Sequence, residues 1–167
     1  MQFVYPRINL HLKISDIISY IFNFNKSKYI ENSKEITNNL FDDKFIYTGQ
    51  LRIGFYLVLD YLKNKHPNKL EVLISPLNIF PMINIIYKCG LKPVFIDNNI
   101  NNISLNIEDL QNKITDRTLC CVLTNHYSNV QNDKILALLN QKKIYSIEDC
   151  ATTFLNFYPQ SNVISGT

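Results

Sequence analysis

The stretch KLEVLISPLNIFPMINIIYKCGLKPVFID, residues 69–97, decides the fold. It opens with KLEVLIS (69–75), a β-branched apolar run of strand length. NIFPMINIIYKC (78–89) follows, apolar on nearly every side, as suits a buried helix. Pro81 then belongs in its first turn, where a missing N–H is tolerated. Gly90 stands just past the end of that helix, where the left-handed conformation is favoured. KPVFID (92–97) is the next strand. A strand, a helix and a second strand in this order form a crossover unit, which joins parallel strands.

Downstream the alternation continues. LNIEDLQNKI (105–114) has Asn106 as an N-cap and apolar residues at 107, 110 and 114, which is helical spacing. LCCVLTN (119–125) is a strand apolar on both faces, NDKILALLNQ (132–141) a helix, and KIYSIED (143–149) another strand. Strands apolar on both faces and alternating with helices imply a parallel sheet covered on both sides. The expected fold class is therefore α/β: three αβα layers around a mostly parallel sheet, with right-handed crossovers.

Upstream, SDIISYIF (15–22, capped by Ser15) and SKEITNNLF (33–41) read as short helices. In KFIYTGQLRIGFYLVLDYLKNK (44–65) a short strand, KFIY, meets Thr48-Gly49 and a long amphipathic helix follows. No internal repeat or low-complexity segment divides the chain. The expected organisation is an N-terminal helical segment, 1–43, and an α/β domain, 44–167.

A chain of 167 residues suffices for one domain with a substantial core. Hydrophobic residues at 46% and charged residues at 19% exclude a disordered chain. The net charge of +3 is small and the lysines are scattered; KNKHPNK (63–69) reads as a solvated helix end and turn, so nucleic acid is not an expected partner. No apolar run approaches the ~20 residues that span a bilayer, so no membrane is expected. The start, MQFVYPRINLHLK, has no basic segment leading into an apolar one, so it does not read as a signal peptide. Cys89, Cys120, Cys121 and Cys150 show no CxxC spacing and lie in or beside apolar segments, as reduced buried thiols of a cytoplasmic protein do. Cys120 and Cys121 should face opposite sides of their strand, which argues against a metal pair.

In open α/β sheets, ligands sit beyond the carboxyl ends of the strands. Thr48-Gly49-Gln50 enters a helix there, either as amides offered to a phosphate or as a plain N-cap turn. Asp149 ends a doubly buried strand, where a carboxylate is costly unless partnered. It suits the protonated pyridine nitrogen of pyridoxal phosphate; alternatively, Asp149 or Glu148 caps a following turn. His126 is a base, a ring-stacking group or neither, and Asp97 a turn residue. No HExxH, GxSxG, P-loop or GxGxxG pattern is present, and four glycines are too few for a glycine-rich loop of that last kind.

Taken in order, EVLISPLN…INIIYKCGLKPVFIDNN, SLNIEDLQNKITDRTLCCVLTNHYS and IYSIEDCATT resemble the DegT/DnrJ/EryC1/StrS aminotransferases. The series "strand, G-x-x-PVF-x-D, L-x-x-E-D-L, I-T-x-RT, strand, I-E-D-x-A" carries the resemblance, from about Phe45 past Asp149. It implies part of the large domain of a fold type I enzyme that uses pyridoxal 5'-phosphate. An amino-acid donor, a keto-sugar nucleotide acceptor and a homodimer are implied with it. Carried over by position, Asp149 matches the aspartate at the pyridine nitrogen. Gly49, Gln50 and Leu51 match the segment whose amides hold the phosphate.

Three further positions match but depart in type. Thr152 falls where the family has Gln or His near the ring hydroxyl, Ile79 where an aromatic stacks on the ring, and Asn125 where His is frequent. Arg52 also replaces a small residue, and together these departures imply weakened or lost cofactor binding, or a divergent branch of the family. After Ser165-Gly166-Thr167 the family continues to Gly-Asp, Ser-Phe and the lysine that forms its Schiff base; no lysine here stands in that position. The expectation is the N-terminal part of such an aminotransferase, inactive alone, with sheet edge and apolar surface uncovered. Two readings compete with it: a non-catalytic module that binds a homologous chain or a small ligand, and an unrelated doubly wound domain. Strand order is expected to expose the unrelated domain.

Overall fold

The computed structural model describes residues 48–126, 133–151 and 163–165, together with Ile14, Ser15, Ile18, Ile21 and Glu31. Contacts divide the chain into Met1–Ile46 and Tyr47–Thr167. In the first unit Ile14 and Ser15 are both helical, so the helix begins before Ser15 and that residue is not its cap. The expected helix 33–41 and strand 44–47 lie outside the described residues.

The second unit runs α1 (Leu51–Lys65), β1 (Glu71–Ile74), α2 (Phe80–Lys88), β2 (Lys92–Phe95), α3 (Ile107–Lys113), β3 (Thr118–Thr124), α4 (Asp133–Gln141), β4 (Tyr145–Asp149) and β5 (Val163–Ser165). The five strands form one sheet in the order β2-β1-β3-β4-β5, and every described pairing is parallel. That order is also the one of flavodoxin-type sheets, so strand order does not separate the two doubly wound architectures as expected.

Side-chain alternation sorts the core onto two faces. On the first face Val72, Ile74, Cys120, Val122 and Ile147 pack under Phe55, Leu59 and Leu62 of α1 and Met82 and Ile86 of α2. On the second, Leu73, Cys121 and Leu123 pack under Leu110 of α3 and Ile135, Leu136 and Leu139 of α4. The result is three layers, αβα. Phe55, Leu59 and Leu62 follow one another at helical spacing, and burying each contributes roughly 1.5–3 kcal/mol. Cys120 and Cys121 do face opposite sides; burial pushes both thiols up, Cys121 to about 12.

Local chemistry sets the element ends. Asn106 Oδ1 accepts from the amides of Glu108 (3.0 Å) and Asp109 (3.1 Å), as an N-cap should. Pro81 lies in the first turn of α2, which is shorter than the expected 78–89 because Ile79 is extended and acts as its N-cap. At its other end Gly90 (φ 66°) donates to Tyr87 O (2.8 Å) and Leu91 to Ile86 O (3.0 Å), a Schellman pair sealed by buried Ile86 and Leu91. Helix α4 ends in the same way, Lys143 donating to Asn140 O (3.1 Å) and Ile144 to Leu139 O (2.9 Å), but with a lysine at φ 55°. The edge strand β2 is blunted by Lys92, by Pro93 and by Lys113 Nζ, which donates to Phe95 O (2.8 Å).

Candidate functional site

After β1 the chain crosses to β2 and then returns to β3 on the other side of β1. The carboxyl ends of β1 and β3 are thus a topological switch point, where a crevice opens in sheets of this kind. Asn78, just past β1, spans it: its Nδ2 donates to Thr124 Oγ1 at the end of β3 (2.8 Å). Thr124 is in register with Asp149 at the end of β4. Alternation from Val122 and Ile147 puts Thr124 and Asp149 on the face covered by α1 and α2. Asn78, Thr124 and Asp149 therefore line one rim.

Asp149 is only 7% exposed. Burial pushes its carboxyl above the usual carboxylate range; the Ala151 amide, donating to Oδ1 at 3.1 Å, and the nearby His126 act in the opposite sense. The turn-capping role weighed from sequence is therefore present, and one carboxylate oxygen performs it. His126 Nε2 is buried and has no hydrogen-bond partner among the described residues. A raised carboxyl and an orphaned ring nitrogen form a site short of a polar, proton-bearing partner.

The structure places the other residues expected from sequence differently. Gly49 and Gln50 precede α1, and Leu51 is its first residue. Gln50 is an extended N-cap whose side chain makes no capping bond, and no acidic residue occupies the first turn. Ile53 and Gly54 both donate to Gln50 O (3.0 and 3.3 Å), which leaves the amides of Leu51 and Arg52 at the positive end of the dipole, with no carboxylate in the first turn. Arg52 Nη2 reaches back to Gln50 Oε1 (3.5 Å). Ile79 is 60% exposed, its amide held by Asn78 Oδ1 (3.0 Å), and Phe80 beside it is 73% exposed. Thr152 lies outside the described residues.

Asn125 behaves differently. It is fully buried, and its Nδ2 donates to Cys150 Sγ (3.4 Å). Its alternation places it on the opposite face from Asp149, with Glu148 and Cys150. The neighbour that acts on Asp149 is His126, which the sequence reading left open between three roles. The bond from Asn78 to Thr124 was not foreseen; only the position of both residues at strand ends hinted at it. Two surface concavities, a groove of about 560 Å³ between α1 and α2 and a polar one of about 310 Å³ around Asn99 and Asn102, do not include Asp149. Among the described residues no group of His, Cys, Asp and Glu could hold a metal.

Comparison with known proteins bears on the family and the fold. The chain is 29% identical over 153 residues to the uncharacterized protein MJ1066 of Methanocaldococcus jannaschii, covering 80% of this chain and 39% of that protein. It is 29% identical over 91 residues to GDP-perosamine synthase of Escherichia coli O157:H7, covering 53% of this chain and 24% of the synthase. The chain thus spans well under half the length of either relative. Among solved structures, E. coli GDP-4-keto-6-deoxy-D-mannose-3-dehydratase with bound hydrated PLP superposes with a TM-score of 0.71 at 21% identity, over 93% of this chain and 44% of that one. This likeness makes the fold part of the three-layer large domain of fold type I enzymes. A sequence model of the DegT/DnrJ/EryC1/StrS aminotransferase family matches residues 54–163, two-thirds of the chain, and the protein belongs to that family.

Proposed function

We propose that the chain supplies the N-terminal part of a pyridoxal-phosphate-dependent aminotransferase acting on a keto-sugar nucleotide, with an amino acid as donor. The observation that carries this is Asp149: a buried, raised carboxyl at a strand end beside an orphaned His126 Nε2. When bound, pyridoxal phosphate supplies an electron sink for moving an amino group. The residues of this chain fit it in named roles. Asp149 would accept a hydrogen bond from the pyridine nitrogen, and a cationic partner would offset the cost of burying its carboxylate. Gly49, Gln50 and Leu51 offer the amides and dipole of α1 to the phosphate, with Arg52 adding positive charge. Ile79 would offer the ring an apolar surface without a π-face, Thr152 would serve the ring hydroxyl, and His126 would help hold the ring beside Asp149.

Names of the relatives support the substrate class: one is a GDP-perosamine synthase, and a structural neighbour is a GDP-keto-sugar dehydratase holding PLP. A homodimer belongs to the same reading, since Ile53, Leu57 and Phe80 leave α1 and α2 with an apolar outer surface. The test is a titration of the chain with pyridoxal phosphate, read by absorbance, against the variant Asp149→Asn. A charge-assisted hydrogen bond of about 1.5–3 kcal/mol predicts roughly 10- to 150-fold weaker binding by the variant. No binding by the wild-type chain, or equal binding by both, overturns the proposal.

A further inference from the structure

The ends of β3 and β4 carry two sets of polar groups on opposite faces. Asp149, Thr124 and His126 belong to the face under α1 and α2. Asn125, Glu148 and Cys150 belong to the other, and all three are buried. Regular pairing of β3 with β4 ends at Thr124 and Asp149. One residue further on, Asn125 bonds residue 149 with its main chain and residue 150 with its side chain. Its amide donates to Asp149 O (3.0 Å) and its Nδ2 to Cys150 Sγ (3.4 Å). The Cys150 thiol in turn faces Glu148 Oε2 (3.9 Å).

We propose that Asn125 is a positioning residue: from behind the sheet it clamps the Asp149–Cys150 peptide and so fixes the direction of the Asp149 carboxylate on the other face. That the carboxylate serves a cofactor rests on the function proposed above; the clamp itself does not. The physical reason for a clamp is that the pairing of β4 with Thr124 of β3 and Ser165 of β5 ends at Asp149, so no ladder fixes the chain just beyond it. A buried asparagine joined both to Asp149 and to Cys150 removes that freedom. It also accounts for a polar side chain held away from the rim on which Asp149 lies. Glu148 then completes the clamp by holding the Cys150 thiol, which gives it a role distinct from that of Asp149.

The readout is hydrogen exchange of the full ligand-free chain at the Ala151 amide, which donates to Asp149 Oδ1 and so reports the carboxylate directly. In Asn125→Leu, which keeps the branching of the side chain but removes the donor, Ala151 exchange is expected to accelerate at least tenfold more than Leu73 exchange in the core of β1. Cys150→Ala removes the far end of the bond and is expected to do the same. The two changes together should be no worse than either alone. Thr115→Val, which strips a hydroxyl from Glu71 near the opposite end of the sheet, serves as a control and should leave the ratio unchanged. If Ala151 and Leu73 accelerate in step in both variants, the clamp is refuted. In the pyridoxal phosphate titration, Asn125→Leu should weaken binding about tenfold. Equal binding would sever the clamp from the cofactor. No binding by the wild-type chain would remove the proposed function and leave the exchange ratio to decide the clamp.

Discussion

Asp149→Asn is expected to stabilise the ligand-free protein near neutral pH and to have little effect in acid. Burial raises the Asp149 carboxyl above its ordinary 3.8, and this outweighs the Ala151 amide and His126, which pull it down. The folded state therefore holds this proton more tightly than the unfolded chain does. The associated stability is fully present below the unfolded value and is lost as pH rises through the folded one. For one proton the slope between the two approaches about 1.4 kcal/mol per pH unit. Asn has the same shape, keeps an oxygen for the Ala151 amide at 3.1 Å, and does not titrate. The stability of wild type minus variant should thus be level in acid, fall from about pH 4 upward, and level again above the folded value. The drop between the plateaus is the cost of burying the charge. Each kcal/mol of it corresponds to about 2–4 °C in Tm for a chain of this size. The assay is urea denaturation of both full chains from pH 3 to 8 in half-unit steps. A difference that rises with pH, or stays flat, refutes the argument that burial governs this carboxyl.

Three further predictions concern the frame that carries the site. Lys143→Gly should stabilise the protein by about 1 kcal/mol, because the lysine sits at φ 55° where a side chain is crowded, while Gly90→Ala at φ 66° should cost about 1–2 kcal/mol; denaturant midpoints check both. Asn106→Ala should cost about 1 kcal/mol by releasing the amides of Glu108 and Asp109, measured in the same way, with Asn106→Ser restoring most of it.

Much of the fold was legible before any coordinates because it rests on local chemistry. The period of apolar residues marked β1, β3 and β4, Asn106 announced the start of α3, and Gly90 announced the end of α2. The helix end at Lys143 was not legible, because a lysine at φ 55° carries no signal; the turn is held there by its hydrogen bonds and by the packing of Ile144 and Leu139. Strand order was not legible either, and once known it proved shared between two architectures.

The candidate site divides along the same line. By itself the sequence determined that two carboxylates end a buried strand, that a helix begins after Gly49-Gln50, and that the ordered motifs are those of the DegT/DnrJ/EryC1/StrS family. These are properties of neighbours along the chain, and each residue type announces them alone. Only the tertiary structure decided which side each group faces. Strand alternation separates Asp149 from Glu148 and puts His126, not Asn125, beside Asp149. It also joins Asn78 to Thr124 across the switch point, 46 positions apart in sequence. Those choices depend on register between strands distant in sequence, and a shift of one residue would exchange the two faces.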